Sequence, residues 1–304
     1  METSPFHKGE LEAQKRAGQE KMARQVGRIL SDQIPIGGLD FISRQAMVIV
    51  STQDKDKNLW VSILLDKPGF VKSVDEKTLK IPLSSLRTSR YDPFWDNIEQ
   101  NKQLAMLFIE LSTRSRLRVN GSFSTIEDSL HLHVEQAFTN CPKYIQRRAF
   151  EVVDSKTQAT DSKEQGESLS SDHINWIKDS DTFFVGSVND SDHMDVSHRG
   201  GNPGFIKVLD QNTLKIPDYQ GNNMFNTLGN FLVNPKAGLL FIDYQKGKTL
   251  HLTGKTDVIW EEGDTRGKGK AKRFWKFYIS KWVQTESLRG VQWDFMDYSP
   301  FNPS

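Results

Sequence analysis

The stretch SHRGGNPGFIKVLDQNTLKIP, residues 197–217, decides the fold because its second half has a close copy earlier in the chain. Residues 67–82 read KPGFVKSVDEKTLKIP, so a Pro-Gly-Phe group and a Thr-Leu-Lys-Ile-Pro group recur at a constant offset of 135 positions. At an offset of 133, the Leu-Phe-Ile triplet of 107–109 recurs at 240–242. Because these matches keep their order along the chain, they predict two copies of one structural unit.

Short runs rich in β-branched and aromatic residues, separated by turn-forming residues, fill both copies and predict strands. Examples are AMVIVST at 46–52 and GLLFIDY at 238–244. We therefore predict a mainly β protein with a few helices, in which two β-barrels of one chain pack as a pseudo-dimer. The predicted division is a helical segment over 1–39 with one helix across 10–33, a first copy over 40–153, a flexible linker over 154–172 and a second copy over 173–304.

Composition restricts the class of protein. The 304 residues suit two domains of ordinary size, and 40 basic against 39 acidic residues give a formal charge of +1, so the chain as a whole does not attract nucleic acid or anionic membranes. The single cysteine, Cys141, cannot form an internal disulfide or a cysteine zinc cluster. With no secretory pattern at the N-terminus, we expect a cytoplasmic protein.

The basic run RGKGKAKR at 266–273 is expected to be a solvated loop, with nucleic-acid binding as the alternative.

The group Ser197-His198-Arg199-Gly200-Gly201 is the first candidate site. Arginine offers a planar fork of donors suited to phosphate, and glycine lets a ligand approach the backbone. At the corresponding positions the first copy has Ser-Ile-Leu-Leu-Asp, residues 62–66, so polar donors stand in one copy where the other has aliphatic side chains. The alternative is a hairpin loop with a surface arginine.

The segment GNNMFNTLGNFLVN, residues 221–234, has apolar residues at helical spacing after a Gly-Asn turn. It predicts a short helix that starts near Asn222 and Asn223 and includes Asn226, and the first backbone N–H groups of such a helix are available to an anion.

These motifs, in their order, resemble the FMN-binding split-barrel group related to pyridoxamine 5'-phosphate oxidase. FHKGE at 6–10, NCPKYIQRR at 140–148 and YSPFNP at 298–303 resemble its two-copy branch, and the resemblance covers 6–303. It implies two split barrels, an FMN cofactor and oxidoreductase chemistry on an unknown small molecule, with a further homodimer as an additional partner.

The resemblance also implies site residues. The family strand that runs along the flavin phosphate corresponds to 195–200, and the family's phosphate-binding Ser-Arg-Lys corresponds to 222–224, where both cations are missing. A glutamine on a later strand corresponds to Thr249, beside Lys248. The family's C-terminal Arg-x-His has no counterpart, so vitamin B6 oxidation itself is not expected.

Residues 140–148 predict a second helix start, with Asn140 as N-cap and Pro142 in the first turn. The family places this helix near the cofactor, so Lys143 or Arg147 could reach the ligand; a purely structural connecting helix is the alternative. His131, His133 and Glu135 alternate on one strand, but an exposed strand face is favoured over a metal site.

Two functions therefore remain open at this point. The first is an FMN-dependent oxidoreductase with no identified catalytic residue. The second is a flavin- or ligand-binding protein or scaffold without turnover.

Overall fold

The computed structural model describes residues 4–152, 161–260, 271, 273–286, 288 and 290–303. The first barrel contains β1 (Met47–Gln53), β2 (Leu59–Leu65), β3 (Lys72–Asp75), β4 (Thr78–Pro82), helix α4 (Pro93–Gln100), β5 (Gln103–Glu110), β6 (Ser115–Ile126) and β7 (Ser129–Thr139). The second barrel contains β10 (Thr182–Val188), β11 (Met194–Gly200), β12 (Lys207–Asp210), β13 (Thr213–Asp218), α6 (Asn226–Val233), β14 (Lys236–Asp243), β15 (Lys248–Trp260) and β16 (Arg273–Glu286).

The remaining elements flank the barrels. They are α1 (Lys8–Arg16), α2 (Glu20–Val26) with a 3-10 turn (Gly27–Ile29), α3 (Ile36–Ser43), β8 (Arg147–Val152), β9 (Ser162–Gly166), α5 (Ser171–Asp179) and β17 (Val291–Asp297). None of the helices in the described part of the chain has the length and apolar character that a membrane span needs.

The two barrels have the same strand order. The first sheet runs β2-β1-β5-β6-β7-β4-β3, and the second runs β11-β10-β14-β15-β16-β13-β12 with β9 added beside β16. The β-bulge between Ser73 and Asp75 recurs between Val208 and Asp210. The fold class predicted from the sequence is thus confirmed: a mainly β chain with two split-barrel units.

Each sheet curls around its own core. In the first barrel, Leu64 of β2 and Ile81 of β4 share one buried cluster although their strands lie near opposite ends of the sheet. In the second barrel, Val185 of β10 and Ile216 of β13 meet in the same way. Alternate residues of each strand therefore point inward, as the period of two in a strand requires.

The other faces of the two sheets pack against each other. Ile49 and Val61 of the first barrel lie in one buried cluster with Phe184 and Leu240 of the second. Gly186 approaches so closely that an added Cβ would overlap Ser51 Oγ, and these two residues occupy corresponding positions of the two copies. A residue that meets its own counterpart lies near a pseudo-two-fold axis, so the barrels pack as a pseudo-dimer.

Three flanking segments differ from the sequence-based expectation. The single helix expected over 10–33 is interrupted, because Gly18 adopts a left-handed φ of 62° after α1. Residues 153–160 of the expected linker lie outside the described residues, but 162–166 form β9, which pairs with β16 and brings Gly166 against the Trp282 ring. The helix expected at 140–148 is absent, since Arg147 already belongs to β8, which pairs with β17.

Candidate functional site

A cleft between the barrels collects most of the predicted site residues. We call it the interbarrel cleft; it lies between β11 and the start of α6 in the second barrel, β6 in the first barrel, and the segments 140–144 and 217–223. The predicted residues that line it are Lys143, Ser197, His198, Arg199, Gly200, Asn222, Asn223 and Asn226.

Strand β11 gives one wall of the cleft a polar character, because the side chains on one side of this strand are polar. Asp195, Ser197 and Arg199 alternate along one side of the strand. Arg199 stands at the position that corresponds to Leu64, which is part of the core of the first barrel. Placing a guanidinium where the other copy places an aliphatic side chain leaves this edge of the second barrel polar.

His198 is buried in the cleft wall and is only 4% exposed, yet neither of its ring nitrogens has a hydrogen-bond partner among the described residues. Burial lowers the pKa of His198 well below its usual range, and the nearby Arg116 and Arg199 lower it further. The imidazole is therefore neutral near pH 7, with one N–H donor and one acceptor nitrogen.

Arg199 lies beside Asp218, with 3.6 Å between Nη2 and Oδ1. Arg273 contacts the same carboxylate, with 2.9 Å between its Nε and Oδ2. One carboxylate thus contacts two guanidinium groups, and Nε of Arg199 is buried with no hydrogen-bond partner in the described part of the chain.

Arg118 of β6 crosses from the first barrel to β11. Its Nε lies 3.0 Å from Asp195 Oδ1, its Nη2 donates to Ser197 Oγ at 2.5 Å, and its side chain is 3% exposed. Ser197 Oγ also accepts a hydrogen bond from Thr227 Oγ1 at 3.1 Å. This buried ion pair fixes β6, β11 and the start of α6 relative to each other.

Arg116, two residues before Arg118 on the same strand, donates to the carbonyl oxygen of Cys141 from Nε at 3.0 Å and from Nη2 at 2.7 Å. Burial lowers the pKa of Arg116 to about 10, so the group stays charged at pH 7. The segment that holds Cys141 is therefore anchored to β6 through its backbone.

The first turn of α6 is open toward the cleft. Phe225 is its N-cap in a left-handed conformation, without a side-chain cap, whereas Asp92 at the corresponding start of α4 accepts from the Phe94 N–H. The helix begins at Asn226 rather than at Asn222 as predicted, because Asn222 Oδ1 accepts from the Met224 N–H and closes a turn instead. The first N–H groups of α6 lack helical partners.

Aromatic side chains form another part of the cleft wall. The rings of Tyr144 and Tyr219 lie 5.2 Å apart, and Phe205 and Phe225 line the same cleft. The backbone of Tyr144 passes so close to Gly200 that a Cβ there would overlap the Tyr144 carbonyl oxygen. Glycine at position 200 is thus needed to seat the segment 140–144 against β11.

Four candidate residues do not join the cleft, and one of them is Arg147, which lies in β8 and donates to Asp297. Gly201 lies behind it, donating its N–H to the Asp181 carbonyl oxygen at 3.0 Å. Lys248 pairs with Glu286, and Thr249 is buried beside His251, its Oγ1 2.9 Å from the imidazole Nε2. Lys248 and Thr249 were assigned from the same copy as β11, but the pseudo-dimer brings β6 of the other copy to β11.

The residues that sequence reasoning missed are Arg116, Arg118 and Arg273. Thr249 and His251 correspond, at the offset of 133, to Arg116 and Arg118. Both arginines could therefore be found from the sequence, by taking this strand of the site from the first copy instead of the second. Arg273 ends the basic run 266–273, which was expected to be a solvated loop; residues 266–270 and 272 of that run lie outside the described residues.

The pseudo-equivalent place on the other side of the axis is filled. There His251 is fully buried, with Nδ1 2.8 Å from the Val61 carbonyl oxygen and Nε2 3.7 Å from Asp92 Oδ2. Ser62 Oγ donates to Asp92 Oδ1 at 2.5 Å. The two halves of the pseudo-dimer therefore differ: one side has an open cationic cleft, and the other has a closed network of polar side chains.

The alternative metal site is not formed. His131 and His133 lie on β7, where they pair with Lys80 and Thr78 of β4. Over the described ranges, no group of three or more His, Cys, Asp or Glu side chains is arranged to hold a metal ion.

Comparison with known proteins gives likenesses to solved structures. No family model matches the chain, and no curated protein matches it. HupZ of Group A Streptococcus is 13% identical with a TM-score of 0.29, over 37% of this chain and 90% of HupZ. A Clostridium acetobutylicum protein of the pyridoxinephosphate oxidase family is 12% identical with a TM-score of 0.28, over 41% of this chain and 92% of that protein. HutZ, the heme storage protein of Vibrio cholerae, is 10% identical with a TM-score of 0.27, over 43% of this chain and 95% of HutZ.

Proposed function

We propose that the chain binds FMN through its phosphate in the interbarrel cleft and acts as an FMN-dependent oxidoreductase on a small molecule. One observation carries the proposal: among the described residues, five cationic side chains but a single carboxylate line the cleft, in a chain whose formal charge is only +1. The cations are Arg116, Arg118, Lys143, Arg199 and Arg273. Such a local excess favours a ligand that carries negative charge.

The donors that have no partner fit a phosphate. A phosphate that leaves water needs hydrogen-bond donors in its place. His198, Nε of Arg199 and the open first turn of α6 are donors of this kind within one cleft. They make up for the two cations that the family motif places at 222–224 and this chain lacks.

The aromatic side chains of the cleft suit a planar ring system. Tyr144 and Tyr219 offer ring faces beside the cations, and the neutral His198 can orient a polar edge of the ring. Bound FMN would supply the hydride or electron chemistry, while the chain holds and orients it. Electron transfer between FMN and a substrate defines the proposed reaction class.

A binding protein without turnover is the second candidate. It is favoured by the ion pairs that already engage the cations, since Asp195 pairs with Arg118 and Asp218 with both Arg199 and Arg273. Consumption of NADH or NADPH with an artificial electron acceptor, measured on the flavin-loaded protein, separates the two candidates.

Flavin titration of Arg199→Ala tests the proposal. Losing a charge-assisted contact costs about 1.5–3 kcal/mol, which corresponds to roughly ten- to a hundredfold in affinity. We expect FMN affinity, measured by quenching of flavin fluorescence, to fall by that factor, with the melting temperature of the ligand-free protein nearly unchanged.

Arg87→Ala is the matched control. The Arg87 side chain is as exposed as that of Arg199, 24% in each case, and it makes a comparable ion pair with Asp66 at 3.8 Å, away from the cleft. It should leave FMN affinity unchanged. Equal affinities of Arg199→Ala and the unmutated protein would remove Arg199 from the site, and no binding by the unmutated protein would refute the FMN proposal.

A further inference from the structure

A second pocket between the barrels has the opposite charge. We call it the acidic pocket; it lies beside α1, β6, β7, the turn between β10 and β11, and α6, and its volume is about 280 Å³. Within the part of the chain that the structure describes, three carboxylates line it, those of Glu10, Glu135 and Asp195, but no lysine or arginine does. Volumes near 300 Å³ are at the lower end of the range for small-molecule sites.

Two histidines line the pocket, and hydrogen bonds hold one of them, His7, in a neutral form. His7 accepts the Gly9 N–H at Nδ1 and lies 2.9 Å from Asn230 Oδ1 through Nε2, which fixes a neutral tautomer with the proton on Nε2. Burial lowers the pKa of His7. His193 lies on the opposite side of the pocket, in the turn before β11.

Asn120, which lines the acidic pocket, has an acceptor without a partner. The residue is 9% exposed and donates from Nδ2 to Gln136 Oε1 at 3.4 Å, while its Oδ1 is buried with no hydrogen-bond partner among the residues that the structure describes. Leaving a buried acceptor unpaired is costly. A ligand that brings N–H donors would satisfy it.

Glu10 is held in place with acceptor capacity toward the pocket. It accepts the His7 N–H at 3.0 Å through Oε2 and the Asn226 Nδ2 at 2.5 Å through Oε1. A carboxylate has about four lone-pair positions, so two acceptor positions remain. The carboxylate and the Asn120 oxygen are therefore acceptors that suit a donor-rich, positively charged group.

The corresponding cleft of the other copy has a mixed lining. Trp60 stands there at the position of Asp195, and Pro93 stands at the position of Asn226. Its described lining combines four carboxylates with three lysines: Asp54, Asp56, Asp96, Glu99, Lys55, Lys163 and Lys281. Among the described residues, the two clefts thus differ in that cations stand beside the carboxylates in this one and not in the acidic pocket.

We infer that the acidic pocket binds a small organic cation, a primary amine whose ammonium group donates to Glu10 and to Asn120 Oδ1. The ammonium group supplies three N–H donors and one positive charge, which matches unpaired acceptors beside carboxylates. This site is separate from the FMN proposal, since none of its evidence depends on the cations of the interbarrel cleft.

Calorimetric titration of the full chain at pH 8 with 1,4-diaminobutane tests the inference. Butane-1,4-diol, a neutral molecule of the same length, is the comparison ligand. We expect one diamine per chain, with the diol at least tenfold weaker. Equal binding of both, or no diamine binding, would overturn the inference, as would Ca²⁺ or Zn²⁺ binding that displaces the diamine at equimolar concentration.

Two variants and a control locate the site. Glu10→Gln should weaken diamine binding at least tenfold, and Asn120→Asp should strengthen it several-fold, because a carboxylate replaces the unpaired amide oxygen. Glu99→Gln, in the corresponding cleft of the other copy, should leave it unchanged. Unchanged diamine affinity in Asn120→Asp refutes the assignment even if Glu10→Gln fails to fold, which circular dichroism would reveal.

Flavin titrations of the same variants keep the two proposals distinguishable. FMN affinity should be unchanged in Asn120→Asp, which does not line the interbarrel cleft. A protein that binds the diamine but not FMN would retain the inference made here and lose the proposed function.

Discussion

At the residue scale, the Arg118–Asp195 pair is the central feature of the site. Both residues are buried, at 2% and 5% exposure, and they join strands of different barrels. Removing water from both charges is costly, so the pair stabilises the fold only while both partners are present. The pair also separates the cationic interbarrel cleft from the acidic pocket, since Arg118 lines the first and Asp195 the second.

A double-mutant cycle on this pair measures the coupling. Arg118→Met should lower the free energy of unfolding by about 3–5 kcal/mol, because Asp195 is left buried and unpaired. The double variant Arg118→Met with Asp195→Leu should recover much of that loss, and urea unfolding of the four proteins gives the coupling energy. Strictly additive losses would show that the two charges do not interact.

Glu10 makes stability depend on pH. Burial raises the pKa of Glu10 from its ordinary 4.5 to about 7, so between these values the folded state holds a proton that the unfolded chain has released. Stability therefore falls as pH rises through this window, by about 3 kcal/mol at most for this group. Urea unfolding between pH 4.5 and 8 should show a shallower decline for Glu10→Gln than for the unmutated protein; parallel pH profiles would contradict this assignment.

At the element scale, the N-terminal helix is part of the site rather than an appendage. Helix α1 packs on α6 through Gly9 and Gly229, and an added Cβ at Gly229 would lie 2.6 Å from the Glu10 backbone nitrogen. This contact brings Glu10 to Asn226, in the first turn of α6. The position of the open helix end thus depends on α1.

Gly9→Ala tests that dependence. Its Cβ would overlap the Gly229 carbonyl oxygen, so we expect α1 to shift and the free energy of unfolding to fall by about 1–3 kcal/mol. Gly37→Ala is the control, because Gly37 lies in α3 with nothing within 4 Å of the added atom. It should be neutral or slightly stabilising in thermal unfolding. Similar losses in both variants would show that the α1–α6 contact is not tightly packed.

The strands were more predictable than the segments between them. A run such as 46–52 contains enough β-branched and apolar residues to predict β1 locally, and its counterpart elsewhere in the chain repeats the signal. The segment 140–148 has a local helix-start pattern, but β8 forms because β17, far along the chain, pairs with it. Pairing of distant segments leaves no local pattern, so such elements cannot be predicted from their own residues.

At the scale of the whole molecule, the cleft is assembled from both copies. Offsets of 135 and 133 predict two units, and the polar face of β11 could be predicted from its contrast with 62–66. The partner strand β6 could not, because sequence order does not tell which copy faces β11. A site at the interface of two units contains residues of both, and the sequence of one unit does not indicate which residues the other contributes.

The asymmetry of the pseudo-dimer predicts one flavin per chain. The place equivalent to the interbarrel cleft is occupied by His251, Asp92 and Ser62, all buried and hydrogen-bonded. Opening it would leave these groups unpaired, at a cost that FMN binding must offset. Titration at protein concentrations well above the dissociation constant should saturate at one equivalent; saturation at two would show that the closed side also opens.

The pairing of β8 with β17 has a consequence for biosynthesis. Arg147 donates to Asp297, which lies 150 residues further along the chain. At roughly 5–20 residues per second, the ribosome needs about 8–30 s to make that stretch. During this interval the first barrel is present while β8 still has an unsatisfied edge, a state in which exposed strands can pair with other chains. The nascent first copy is therefore the species that a chaperone would have to protect.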